Sequence, residues 1–229
     1  MGRLAVRQKL VPSHPHVGLL DESDNVREGF VEPADMLALL AHLPADIADG
    51  TEFAYHSAWR SQMVWGLKWS HCDLTLSPDG DDVVAASIRL PRANVKNKKP
   101  HTIPARGRLL DIVKRRWRLR VGDFVFHRSG KRIHDIRHAW KKAREAAGLP
   151  GVRFHDLKRS AARNMRRAGK SEHVICKAAG WATASMFKRY DIVDEADLVE
   201  LFDDTAAFVA EREKQQRPVA SRGTTETVH

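Results

Sequence analysis

The sequence predicts a mainly α-helical domain with one small antiparallel β-sheet, an α+β architecture, and three observations carry that reading. Apolar residues recur at helical spacing in several segments on either side of the chain's centre. Between His71 and Pro104 the pattern changes to short runs rich in Val, Ile and Thr that are broken by turn residues. Glycines at 148, 169 and 180 each follow a helical run, at the position where a left-handed residue commonly ends a helix.

Residues 1–29 are polar and turn-rich, with SHPH at 13–16 and GLLDESDN at 18–25, and read as an N-terminal arm or linker. Pro33 opens PADMLALLAHL, whose Met36, Leu37, Leu39, Leu40 and Leu43 recur at helical spacing, and a first-turn proline is well tolerated. A second helix is expected over Ile47 to His56. CDLTL, the turn SPDGDD, VVAASIRL and HTIP then form a β-meander. Beyond it every element reads helical. Leu109 to Leu119 places Leu109, Leu110, Ile112, Val113 and Leu119 on one face, and Ile133 to Ala147 stops at Gly148. Asp156 to Ala168 stops at Gly169, and Ser171 is the N-cap of a helix that Gly180 closes. A last amphipathic helix covers about Glu195 to Arg212, with Leu198, Leu201, Phe202, Phe208 and Val209 apolar. The expected organisation is therefore an arm at 1–29, a globular domain at 30–212, and a polar, disordered tail at 213–229.

With 42% apolar and 30% charged residues, the chain of 229 residues has the composition of one soluble domain. No stretch approaches the roughly 18 to 20 consecutive apolar residues of a membrane helix, and MGRLAVRQKL has no apolar signal core, so a cytoplasmic location is expected. Cys72 and Cys176 are too few for a disulfide framework and read as packing residues. Charge is uneven along the chain. From Arg89 to Lys170 there are 26 Lys/Arg against five Asp/Glu, a balance of +21 within a whole-chain charge of +10, which leaves −11 for the rest. This basic third, with KNKK at 96–99 and KRRWRLR at 114–120, suits a polyphosphate partner, although solvated helix faces can also be basic.

Cutting DNA without a metal requires an internal nucleophile, cations around the non-bridging phosphate oxygens and an acid for the leaving 5′ oxygen. The sequence has no dense carboxylate cluster for magnesium. It has a late tyrosine, Tyr190, one of two tyrosines with Tyr55. It also has a histidine, His155, with basic residues one helical turn on, an arginine, Arg60, before the sheet, and a basic hairpin within it.

The segments carrying these residues resemble the tyrosine recombinase, or phage integrase, family in its catalytic domain. AWRSQMVWGLKWSHCDL (58–74) is similar to the signature around the family's first catalytic arginine, matched by Arg60, with Met63 at a position that is normally acidic. VKNKKPHTIP (95–104) looks like the family's hairpin lysine motif. Lys96 is the match, Lys98 and Lys99 are competing candidates, and His101 holds a basic position suited to a DNA backbone contact. FHDLKRSAARNMRRAGKSEHV (154–174) resembles the helix that begins His-Asp-Leu-Arg. His155 matches its histidine, Lys158 stands at the second catalytic arginine, and Arg159 is a neighbouring cation about 100° around the helix. AAGWATASMFKRYDIVDEADL (178–198) is similar to the segment that ends in the nucleophile. Gly180 and Thr183 match, Trp181 replaces the usual histidine, and Tyr190 follows Trp181 by nine residues, preceded by Lys188 and Arg189. The resemblance runs from about Asn25 to about Leu201. Family members usually carry a helical core-binding domain upstream, and about thirty residues precede the matching region here.

The resemblance implies a DNA breaking-rejoining fold and a double-stranded DNA substrate, with no metal and no nucleotide cofactor. It implies that Tyr190 forms a 3′-phosphotyrosyl link, that Arg60, His155, Lys158 and Trp181 stabilise the phosphorane, and that Lys96 protonates the leaving oxygen. Lys98, Lys99, His101, Arg159, Lys188 and Arg189 would hold DNA. Self-association on DNA follows from the tetramers of the family, with a monomer as the free state. The final helix would dock on a neighbouring protomer or on its own core. Lys158 and Met63 motivate one alternative, a DNA-binding relative with weakened cleavage; a type IB topoisomerase-like enzyme, which shares the nucleophile and cations, is the other. The remaining histidines, His127 among them, read as surface or phosphate-contacting residues.

Overall fold

The computed structural model describes residues 29–91, 101–181 and 195–216. Helix α1 (Pro33–Ala41) starts on its proline and buries Met36 and Leu39. Leu37 departs from the expected face and is 66% exposed. The buried side follows the i, i+3, i+4, i+7 set of Met36, Leu39, Leu40 and Leu43, and Leu37 lies off that stripe. Helix α2 (Ala45–Ser57) is buried over most of its surface, from Ile47 through Phe53 and Tyr55 to Ser57. It ends at Ala58, which takes the left-handed conformation at φ 56. Helix α3 (Ser61–Trp65) follows after two residues.

The expected meander forms as strands β1 (Cys72–Leu76), β2 (Val83–Leu90) and β3 (His101–Ala105). They pair antiparallel in the order β1-β2-β3, with Ile88 opposite Ile103 and Leu90 opposite His101. Residues 92–100, between β2 and β3, lie outside the described set. Helix α4 (Arg108–Arg118) packs Ile112 and Val113 inward. The expected apolar face narrows here, because Leu119 lies beyond the helix and is exposed.

A two-stranded hairpin, β4 (His127–Arg128) and β5 (Lys131–Arg132), was not expected in a region read as helical. Ser129 and Gly130, both at positive φ, make its turn. The hairpin and the residues after it shorten the next helix. Helix α5 (Arg137–Ala146) begins four residues later than expected. The Asp135 carboxylate accepts the Arg137 backbone N–H at 2.8 Å, and Ile133 packs in the core. Helices α6 (Asp156–Arg167) and α7 (Glu172–Ala179) match their expected spans, with Gly169 and Gly180 at positive φ behind them. Helix α8 (Glu195–Gln216) runs four residues past Arg212, so residues 213–216 of the expected tail are helical. Its side chains from Leu201 to Lys214 are exposed, with Phe202 at 70% and Phe208 at 61%, rather than buried on the chain's own core. No helix among the described residues is long and apolar enough to cross a membrane.

The core gathers around α2. Phe53 meets Trp59 with ring centroids 5.5 Å apart and Phe126 at 5.4 Å, and Trp65 meets Phe126 at 6.1 Å. Edge-on and tilted pairs of this kind suit the quadrupoles of aromatic rings. Two carboxylates are buried with them. Glu52 pairs with Arg108 and, at 2.9 Å, with Arg115, while Asp49 pairs with Arg115 at 2.7 Å and Arg116 at 3.6 Å. Arg115 and Arg116, counted in the basic run, therefore serve the interior. Burial pushes the Cys72 thiol up to about 12 and also raises that of Cys176, as fits the packing role expected of both.

Gly50 decides how closely Trp65 can approach α2. A Cβ there would lie 2.3 Å from the Trp65 ring. Helix propensity alone favours Gly50→Ala by about 1 kcal/mol. Overpacking a filled core costs about 1–3 kcal/mol or more. Gly50→Ala is expected to lower the urea midpoint; a midpoint that stays level or rises would show that Trp65 can move aside.

Candidate active site

Arg60 comes into place through the turn before it. Ala58, in the left-handed region, ends α2 and reverses the chain. Arg60 then takes an extended backbone as the N-cap of α3, and its carbonyl accepts the N–H groups of Met63 at 2.8 Å and Val64 at 3.2 Å. The side chain is half-buried. Met63, at the position where the resemblance has a carboxylate, is packed in the apolar core. An unpartnered carboxylate would be costly in those surroundings.

His155 is the N-cap of α6, and its carbonyl accepts the Lys158 N–H at 3.2 Å. Next to it, Asp156 is buried and accepts the Arg153 N–H at 2.8 Å, which secures the start of the helix. His155 is exposed as a residue. Its pKa is nevertheless held below the usual imidazole range by desolvation, then by the Lys158 ammonium. Asp156 opposes that shift, and the Arg60 and Arg159 charges add to it. The cations of α3 and α6 thus act together on one imidazole, although Arg60 and His155 are far apart in the chain.

Lys158 is 1% exposed, and its ammonium sits 4.5 Å from the centroid of the Trp181 ring. A desolvated cation over an indole face gains about 2 kcal/mol. Trp181, itself 6% exposed, is carried there by a helix stop. Gly180 takes φ 66, and the Trp181 N–H donates to the Cys176 carbonyl at 2.8 Å. The described role of Trp181 is thus the face of its ring toward Lys158.

Three expectations change. His101 was read as a DNA backbone contact, yet it is 7% exposed and accepts the Trp59 indole N–H at 3.1 Å through Nε2. Its ring also lies against Gly180, where a Cβ would come within 3.4 Å of it, so it serves the interior. Arg159 was read as a DNA-contacting neighbour of Lys158, but it is buried, with its guanidinium 5.3 Å from the Phe30 ring. One residue of helical advance turns it toward the incoming chain. His127, expected at the surface or against phosphate, is buried and shapes the β4–β5 turn, accepting the Gly130 N–H at 3.2 Å.

Sequence reasoning also missed a seam on α6. Arg163 lies 4.4 Å from the Phe30 ring and bonds Glu32 at 3.1 Å, and the Val31 N–H donates to Ser160 Oγ at 2.8 Å. NVREGFVEP carries these residues, but no local pattern announces a partner so distant in the chain. Tyr55, the other tyrosine, is buried and accepts a 2.9 Å hydrogen bond from Asn164, a packing role. Tyr190, Lys96, Lys98, Lys99, Thr183, Lys188 and Arg189 lie outside the described residues. Of the expected site residues, Lys158 and Trp181 are in contact, and the charges of Lys158 and Arg60 both act on His155.

Comparison with known proteins shows the family of the chain and its fold. Residues 30–196 match the phage integrase family. The integrase of Salmonella phage P22 is 25% identical over 183 residues, a stretch that is 72% of this chain and 44% of that protein. The chain therefore spans less than half the length of this curated relative. Among solved structures, the XerH site-specific recombinase bound to palindromic difH substrate, a post-cleavage complex, superposes with a TM-score of 0.60 at 16% identity. The match covers 86% of this chain and 57% of that one. The lambda integrase tetramer bound to a Holliday junction superposes with a TM-score of 0.58 at 14% identity, covering 84% and 57%. Both likenesses concern the fold.

The electrostatics of His155 make a direct test. The neighbouring ammonium disfavours its protonation. Lys158→Met removes that charge, so the His155 midpoint, followed by NMR, is expected to rise toward the ordinary 6.5; an unchanged midpoint would remove Lys158 from its surroundings.

Proposed function

The chain belongs to the phage integrase family, and from that premise we propose that it is the catalytic domain of a site-specific tyrosine recombinase that cleaves and rejoins double-stranded DNA through Tyr190. The Tyr190 hydroxyl oxygen attacks the scissile phosphorus. The bond to the 5′ oxygen breaks, and a 3′-phosphotyrosyl link remains. Attack by a 5′ hydroxyl, from the same or a partner strand, reverses the step and releases the tyrosine. Arg60, His155, Lys158 and Trp181 stabilise the pentacoordinate phosphorane, and Lys96 gives a proton to the departing oxygen. Lys98, Lys99, Lys188 and Arg189 hold the DNA backbone. No metal enters the scheme.

The observation that carries this reading is the Lys158 ammonium over the Trp181 ring, with the charges of Lys158 and Arg60 both acting on His155. Preorganised positive charge in a partly desolvated site is what a phosphorane needs, and removing one such group commonly costs about 100- to 1000-fold in rate. Lys158 itself favours a second reading, a relative that binds DNA and cleaves weakly. An arginine would hold two phosphate oxygens with one planar fork, whereas the lysine offers a single mobile charge.

A nicked duplex that traps the covalent intermediate separates the two. Wild-type protein is expected to give an adduct that Tyr190→Phe abolishes, and Lys158→Ala is expected to slow adduct formation by about 100-fold. No adduct from either wild type or Lys158→Arg would leave the DNA-binding reading.

Self-association on DNA belongs to the same proposal. Phe202 and Phe208 on α8 are exposed large apolar residues that ask for a partner surface. An apolar cleft of about 460 Å³ lined by Ile103, Pro104, Leu109, Met165 and Val174 matches them in character, and α8 of a second protomer is assigned to it. The double substitution Phe202→Ser/Phe208→Ser is expected to abolish higher-order complexes in gel-shift titrations while leaving the single-protomer complex intact; loss of both, or of neither, would reject this role.

A further inference from the structure

The histidine that left the DNA-contacting set stands where three parts of the site meet. His101 is the first residue of β3, five positions after Lys96 in the chain. Its Nε2 accepts the indole N–H of Trp59, and Trp59 directly precedes Arg60. The two rings also pack, with centroids 5.5 Å apart. With Nε2 occupied as an acceptor, the proton belongs on Nδ1. The same ring lies against Gly180, where a Cβ would come within 3.4 Å of it. Gly180 also needs its φ of 66 to stop α7, so the residue supplies both the turn and the room for the imidazole. Trp181 follows, carrying Lys158 on its face.

We propose that His101 is a positioning residue of the active site, holding the Arg60 turn, strand β3 and the Gly180–Trp181 stop in one fixed relation. The inference rests on the recombinase reading for its kinetic consequence only; its physical content is a coupling between Trp59 and Trp181 through one imidazole. A ring with a directional bond at Nε2 and its other edge packed against Gly180 has one orientation and one tautomer, so it transmits a displacement of either neighbour to the other. Arg60 and Trp181 both address the phosphate, and displacement of such groups by about 1 Å costs on the order of 100-fold in rate. A histidine that only filled space would be replaceable by phenylalanine without kinetic effect.

Two measurements on the full chain test this. In the first, imidazole and indole resonances are followed by NMR in the free protein. His101 is expected in the Nδ1–H tautomer, and both Trp59→Phe and His101→Phe are expected to shift the Trp181 indole signal. A Trp181 signal that neither substitution moves overturns the inference, whatever the activity. In the second, adduct formation is timed on a nicked duplex recovered from random-sequence DNA by covalent capture on wild-type protein. His101→Phe and Trp59→Phe are each expected to slow the step by about 10- to 100-fold at saturating DNA, with Kd changed less than twofold.

The double variant is expected to be no slower than the worse single one, because both remove the same bond. His101→Gln, which can keep an acceptor near the Nε2 position, is expected to recover part of the rate. Rates unchanged in both single variants, or effects that multiply, overturn the inference. If His101→Phe does not fold, Trp59→Phe and His101→Gln carry the same comparison. If wild type captures no duplex at all, the recombinase reading fails, and the NMR arm still decides the coupling.

Discussion

Two carboxylates, Asp49 and Glu52, lie inside the protein on a helix covered over most of its surface. Breaking a buried ion pair by removing one partner costs about 3–5 kcal/mol, so such groups dictate what must surround them. Here they draw Arg108, Arg115 and Arg116 of α4 against α2. That docking orders the layers of the domain. It holds α2 against α4, and the left-handed Ala58 at the end of α2 then sets where Arg60 starts α3. The aromatic cluster of Phe53, Trp59, Trp65 and Phe126 fills the remaining volume and makes the position rigid.

The same pairs change the meaning of the basic composition. Charge counted along the chain treats each arginine as available to a phosphate partner. In the folded protein, Arg115 and Arg116 serve buried carboxylates, Arg163 and Arg167 hold Glu32, Arg128 pairs with Asp46, and Arg118 pairs with Asp82. Exposed pairs such as the last two add little stability. They do neutralise charge that would otherwise stand free at the surface. The surplus left for a polyanion is therefore smaller than +21 and is set by which cations lack a carboxylate partner, a property of the fold that no local run of residues contains.

Much of the fold was legible because it is local. Helix stops at Gly148, Gly169 and Gly180 need a left-handed residue, and glycine marks that need in the sequence. The meander was readable because the pleat alternates and its turn, SPDGDD, is rich in turn formers. The β4–β5 hairpin was not, since strands of two residues have no periodicity to detect and only the Ser129–Gly130 turn distinguishes them. At the site, Arg60, His155, Lys158 and Trp181 were picked out by resemblance to a family; the structure sets Lys158 on the Trp181 face, and the charges of Lys158 and Arg60 act on His155. The burial of His101 could not be read in that way. A histidine in a basic hairpin looks solvent-facing until the indole that bonds it, forty-two positions earlier, is folded against it.

Lys158 and Trp181 are best understood as one unit. An arginine at 158 would bring its own geometry, because a planar fork fixes two phosphate oxygens without help. A lysine has a flexible stem and one charge, so its position must come from outside the side chain. The Trp181 face supplies that position, 4.5 Å from the ammonium in a site nearly closed to water, where cation–π attraction is strongest. Trp181 is in turn oriented by the Gly180 stop and by the imidazole packed against that glycine. The order of dependence thus runs from His101 to Gly180, to Trp181, to Lys158, and each step replaces flexibility in one side chain with rigidity in the next. On this view the tryptophan is the structural complement of the lysine, and the site compensates in packing for what it gives up in the chemistry of a single residue.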